Sequence, residues 1–157
     1  IKVIPVWNGG GTVKIIFVDS DWGIPSEDLV NSVQTAVDPV QNQGVGDGIA
    51  PIGHVVTVEG VVGTTVNVSF ALTFATSYTW ESVETEVQKA IQEYFAELAK
   101  EWADQEVLIV RVSQIETKVL AVDGIIDVTG TTINGTTQNI SLASNAIPVL
   151  GVIENVT

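Results

Sequence analysis

The side chains able to do chemistry are few and scattered. Asp19 and Asp21 flank Ser20, which puts two carboxylates on one side of an extended segment, a spacing that can ligate a divalent cation. Asp and Ser are also favoured turn and capping residues, and no third ligand follows at a fixed interval, so the turn is the expected role and no metal is assigned. Asp47 lies among Gly44, Gly46 and Gly48, a pattern that superficially resembles a phosphate loop but lacks the lysine such loops carry. His54 is the single histidine, and it could act as a general base only with a nucleophile beside it. With no cysteine anywhere, disulfide scaffolds, thiol nucleophiles and thiolate zinc sites are all excluded. The expected chemistry is therefore binding without catalysis and without a cofactor.

The chain of 157 residues is 45% hydrophobic and carries a formal charge of −13, from 19 acidic and six basic side chains. Its mean hydropathy of +0.35 and pI near 4.1 exclude intrinsic disorder and leave no basic field to hold phosphates or anionic headgroups. Nucleic acid is not expected as a partner. Charged residues make up only 16%, against about a quarter in an average domain, so the surface is weakly protected against association. No apolar run approaches the roughly 20 residues that span a bilayer, and no export signal opens the chain. Membrane insertion is not expected either. Because the sequence starts at Ile1 and lacks methionine, it reads as a piece of a longer polypeptide. Sequons at Asn67, Asn134, Asn139 and Asn155 arise readily in a chain this rich in Thr, Ser and Asn, and receive no weight.

Residues 2–7 and 12–19 are β-branched apolar runs joined by Asn8-Gly9-Gly10-Gly11, which predicts a hairpin. Pro25 and Ser26 start a short helix on which Leu29, Val30, Val33, Ala36 and Val37 recur at helical spacing until Asp38-Pro39. Residues 41–53 are too rich in glycine for regular structure and predict an ordered loop. Strands follow at 54–59 and 65–76, the second placing Val66, Val68, Phe70, Leu72 and Phe74 on one face. Thr79 caps the strongest helix, whose apolar stripe is Val83, Val87, Ile91, Tyr94, Leu98 and Trp102. Its other face holds Glu81, Glu84, Glu86, Glu93, Glu97 and Glu101, expected to be solvated, with docking of a basic partner as the other reading. Residues 107–112 could be strand, and helix is favoured from about Ser113 to Gly124. Residues 125–133 and 137–142 flank Asn134-Gly135, which predicts a second hairpin, and 147–151 read as a tail or edge strand around Pro148. Trp7, Trp22, Trp80 and Trp102 are expected as core or rim anchors.

The order predicts an α+β fold of two small sheet-and-helix layers, β-β-α-β over 1–62 and β-α-α-β-β over 63–157, sharing a core. Several of these segments carry a resemblance. Gly11-Thr-Val-Lys-Ile-Ile-Phe-Val-Asp19 with its Pro25-Ser26 helix, then Ala50-Pro-Ile-Gly-His54 entering a strand, resembles the central block of the baseplate J-like proteins of contractile-tailed phages, prophages and related injection machines. Val122-Asp-Gly-Ile-Ile-Asp-Val128, Ile133-Asn-Gly135, Asn139-Ile-Ser-Leu142 and Ile147-Pro-Val-Leu-Gly151 resemble the carboxy-terminal end of that family. The resemblance implies a structural wedge component of a tail baseplate, roughly the C-terminal half of a longer protein, with no catalytic residues to carry over. It further implies partners among the other baseplate proteins and copies of the same protein, and a location in the virion tail baseplate after assembly in the bacterial cytoplasm.

The glycine-rich loop and the later turn are the expected docking elements, with Gly44, Asp47, Ile49, Pro51, His54, Asn134 and Gly135 as candidate interface residues. Two other classes compete. An extracellular adhesin or carbohydrate-binding module would suit the Thr, Asn and Val content but not the two amphipathic helices. A hydrolase would have to bring Asp19, Asp21 and His54 together.

Overall fold

A computed structural model describes residues 1–156. The fold is α+β, and the chain divides into two compact units, Ile1–Val62 and Gly63–Thr157.

In the first unit, β1 (Lys2–Pro5) runs antiparallel to β2 (Thr12–Phe17), with Val3 opposite Ile15. The chain then turns at Asp19, whose Oδ1 accepts from the backbone N–H groups of Asp21 (2.9 Å) and Gly23 (2.7 Å). Ser26 Oγ accepts from Leu29 N (3.2 Å) and starts α1 (Glu27–Val37) as its N-cap. The helix crosses over to β3 (Val55–Gly60), which lies parallel to β2 with Val13 opposite Val56. Val13, Ile15 and Phe17 project to the helix side of the sheet, where they pack with Val30, Val33, Val37 and the buried Ala50, Val56 and Val58. This core is small, and no residue of α1 is fully buried. Antiparallel alternation turns the backbone groups of Val3 and Pro5 toward the free edge of β1, since Val6 N already donates inward to Thr12 O at 2.7 Å. Pro5 has no N–H to offer there.

The second unit is built on β4 (Val62–Phe74), the central strand of a sheet ordered β6-β4-β8. Val66, Val68 and Phe70 are buried, while Asn67 and Thr73 on the opposite face are exposed. The helix α2 (Trp80–Glu101) starts at a capping box between Thr79 and Ser82 and packs against β8 (Ala146–Asn155). Val83, Val87, Ile91, Tyr94, Leu98 and Trp102 are all buried, as their spacing predicts, and Phe95 and Ala99 widen the stripe. Residues 107–122 satisfy both readings in turn, as a two-residue strand β5 (Ile109–Val110) followed by α3 (Val112–Leu120), which packs on α2 and on β6 (Ile125–Ile133).

One expectation fails. The segment after Asn134-Gly135 does not form a hairpin ladder with β6, whose paired edge is taken by β4, with Val68 opposite Ile133. The turn closes with a single bridge between Ile133 and Thr136, after which β7 (Ile140–Ser141) pairs with β5. Asn139 Oδ1 accepts from Val112 N at 3.0 Å and caps the start of α3 in passing.

Tyr94 ties α2 to the start of α3, its hydroxyl accepting from Arg111 N at 3.1 Å. Burial pushes its phenol above the usual value of 10, against the lowering effect of the Arg111 contact and charge. An unfolded phenol therefore ionises before the folded one does. Stability is unaffected below about pH 10 and falls as the pH rises through it, and Tyr94→Phe should flatten that fall in denaturant midpoints measured between neutral and strongly alkaline pH.

Candidate docking interface

Helix α1 ends with unsatisfied carbonyls, and the loop that follows supplies their partners. After a single 3-10 turn at Val40–Asn42, the chain doubles back so that Ile49 N donates to Ala36 O (3.1 Å) and Ala50 N to Val37 O (2.9 Å). Gly53 N donates to Gly44 O at 2.8 Å and closes the base of the loop. Asn42 Nδ2 donates to Asp47 Oδ2 at 2.7 Å. The result is an ordered loop with an apolar tip: Ile49 and Ile52 are 80% and 78% exposed. Asp47, Pro51 and His54 are exposed as well, and Gly44 is partly buried.

The loop is held on its inner side by three polar residues. Asp38 is 1% exposed, and its carboxylate accepts from Gly44 N through Oδ1 (2.9 Å) and from Val56 N through Oδ2 (2.8 Å). Gln34 Oε1 accepts from Val58 N (2.8 Å), while its Nε2 donates to Asp38 O (2.6 Å) and Val56 O (3.0 Å). Gln43 Nε2 donates to Val56 O at 3.0 Å. Val56 and Val58 face the free edge of β3, so these side chains occupy the place where a neighbouring strand would hydrogen-bond. Sequence reasoning took Asp38-Pro39 only as the helix end and missed this cluster. The signal available was the four-residue spacing of Gln34 and Asp38, which puts both on one helix face.

Asn134 and Gly135, the other expected docking residues, lie in the second unit. Both have positive φ, at 49° and 77°, as a two-residue hairpin turn demands. The Asn134 side chain is committed to the sheet, since Oδ1 accepts from Asn67 N (2.8 Å) and Nδ2 donates to Thr65 O (3.1 Å). What the turn presents outward is therefore mostly backbone. On α2 the glutamates face solvent, and Glu97 pairs with Lys118 of α3 at 2.8 Å.

The residues a hydrolase would need are not brought together. His54 precedes β3 and Asp19 follows β2, and because those strands are parallel the two residues lie beyond opposite ends of the sheet, separated by the length of β2, about 16 Å, or more. Among the described residues no three His, Asp or Glu side chains converge, and no helix is long and apolar enough to cross a membrane.

The first unit carries most of the large apolar side chains left exposed. Besides the loop tip they include Val3 (59%), Val6 (62%) and Trp7 (40%) on the opening hairpin. Lys14 Nζ sits 4.0 Å from the centre of the Trp7 ring and pairs with Glu59 at 2.7 Å, which keeps part of this surface polar. A surface of this composition is suited to contact with other proteins.

Comparison with known proteins gives two adjoining matches. Residues 1–60 match the Baseplate J-like central domain, and residues 66–156 match the Baseplate J-like protein C-terminal domain. The chain is 34% identical over 153 residues to the phage-like element PBSX protein XkdT of Bacillus subtilis (strain 168), covering 98% of this chain and 42% of that protein. It is also 34% identical over 151 residues to the uncharacterized protein YqbT of the same organism, covering 96% of this chain and 41% of the other. The chain thus spans about two fifths of the length of the curated relatives it matches. A central-domain match over the first unit, a C-terminal-domain match over the second and two relatives aligned along nearly the whole sequence lead to one conclusion: the chain belongs to the baseplate J-like family of phage baseplate structural proteins.

Proposed function

We propose that the chain is part of a wedge component of a phage or prophage contractile-tail baseplate and acts through assembly contacts rather than through chemistry. Its partners are the neighbouring baseplate proteins and other copies of the same protein, and its place is the virion tail after assembly in the bacterial cytoplasm. The observation that carries this reading is the first unit's surface: a small core, exposed apolar side chains on the hairpin, and an ordered loop that holds Ile49 and Ile52 out to solvent. Isolated exposed isoleucines are ordinary, whereas two on the tip of a loop fixed by backbone and side-chain hydrogen bonds make a suitable hydrophobic anchor. The Asn134-Gly135 turn is a second contact in the same reading, made through its backbone. The acidic face of α2 adds a long-range repulsion of acidic neighbours and favours partners with basic surfaces.

The test is reconstitution with the baseplate proteins encoded beside it, read by light scattering coupled to size exclusion. Ile49→Asp combined with Ile52→Asp should weaken co-assembly by roughly 30-fold, equivalent to about 2 kcal/mol, while leaving the fold intact. A complex of unchanged mass and affinity would remove the loop from the interface. A parent protein that ignores every neighbouring product would count against assembly as a whole.

A further inference from the structure

The cluster at the edge of β3 has a role that packing does not require. A sheet edge needs only one covering element, yet Asp38 spends one carboxylate oxygen on Val56 of the strand and the other on Gly44 of the loop. Gln43, the residue before Gly44, is tied to the same Val56 through its side chain. The strand, the helix end and the base of the loop are thus joined at one buried anion that accepts two backbone N–H groups, the strong class of hydrogen bond. At the loop tip, by contrast, Ile49 and Ile52 are among the most exposed side chains of the protein.

We propose that Asp38 is a positioning residue for assembly: its carboxylate sets the shape of the segment from Gly44 to Val56 before any partner arrives, so that Ile49 and Ile52 are presented in a preset geometry. This inference rests on the docking reading above. Its physical content is preorganisation. A loop already fixed in its bound shape loses little further freedom on binding, and a loosened one weakens the complex although every contacting side chain is still present.

The experiment uses Asp38→Asn in the chain, which keeps the size of the side chain but leaves one oxygen to accept where two are needed and turns an amide N–H toward a backbone donor. Hydrogen exchange should rise about tenfold or more at Gly44, Ile49, Ala50 and Gly53, with Ile15 and Phe17 in β2 still protected, and co-assembly with the neighbouring baseplate proteins should weaken about tenfold. Gln43→Ala, which removes one clip without touching the buried anion, should raise exchange at the same loop amides to a smaller degree. Unchanged loop protection in Asp38→Asn would overturn the proposal. So would exchange that rises equally in β2 and the loop, because Asp38 would then hold up the whole unit and not the loop in particular, and so would a Gln43→Ala variant that leaves the same loop amides unchanged. If Ile49→Asp with Ile52→Asp fails to weaken assembly, the docking reading itself falls. If that pair weakens assembly and Asp38→Asn loosens the loop without weakening it, only the preset geometry falls.

Discussion

Trp102→Ala should destabilise the second unit by roughly 3–5 kcal/mol, the largest loss expected of any single substitution in the chain. Trp102 caps the C-terminal end of α2, donating its backbone N–H to Ala99 O at 3.2 Å, and its side chain is 1% exposed. The indole Nε1 also donates to Ser144 O at 3.1 Å, just ahead of β8. One residue therefore ties the end of the longest helix to the approach of an edge strand. Truncation removes a large apolar surface, opens a cavity and deletes the indole hydrogen bond to Ser144 O. The measurement is guanidinium unfolding of the whole chain, with hydrogen exchange in β4 and α2 to show which unit has weakened. Trp102→Phe keeps most of the ring and loses the N–H, so its effect should fall well short of the alanine variant. Equal effects would mean that the hydrogen bond, and not the packing, holds this corner.

Gly48→Ala should release the loop of the first unit from the end of α1, at a cost of about 1–3 kcal/mol to that unit. A methyl group at Gly48 would overlap the backbone carbonyl of Val37 and come within 2.9 Å of Ala36 O. Those are the carbonyls that accept from Ile49 and Ala50, and neither can move without disturbing the helix. Gly53 is the matched control. A methyl there meets nothing within 4 Å, but φ is +87°, so Gly53→Ala carries only the conformational cost of about 1–2 kcal/mol. Exchange at the Ile49 and Ala50 amides should rise sharply in Gly48→Ala and little in Gly53→Ala. The reverse order would show that backbone conformation and not close approach shapes the loop.

What could be read from the residues depended on the range of the interactions involved. The α2 stripe and the alternation of β4 repeat over many residues, so their period survives local noise: Val66, Val68 and Phe70 are buried with Leu72 and Phe74 partly so, and the α2 stripe is buried from Val83 to Trp102. Ser26 and Thr79 announce the two helix starts by a local rule. The hairpin at Asn134-Gly135 differs in another way: the turn forms, but β6 takes its partner from β4, some sixty residues earlier, and the segment after the turn takes its partner from β5, and no local signal encodes either pairing. The loop after α1 is visible as a glycine-dense stretch, whereas the reason it is ordered is not. Gln34 and Val58 are 24 residues apart, and Asp38 and Val56 are 18 apart. Such bonds leave no periodic trace, and a buried Asp before a proline looks the same in the sequence as a solvated one.

Both margins of the first unit's sheet are guarded, one covered by side chains and the other interrupted at Pro5, which offers no donor on the free side of β1. A strand laid along β3 would have to displace Gln34 and Asp38, and one laid along β1 would meet a gap after Val3. Copies of such a unit brought side by side are thereby hindered from seeding a continuous ladder through this sheet. Contacts of the first unit would then fall to side chains, which can be exchanged one at a time by mutation while the sheet beneath them stays the same.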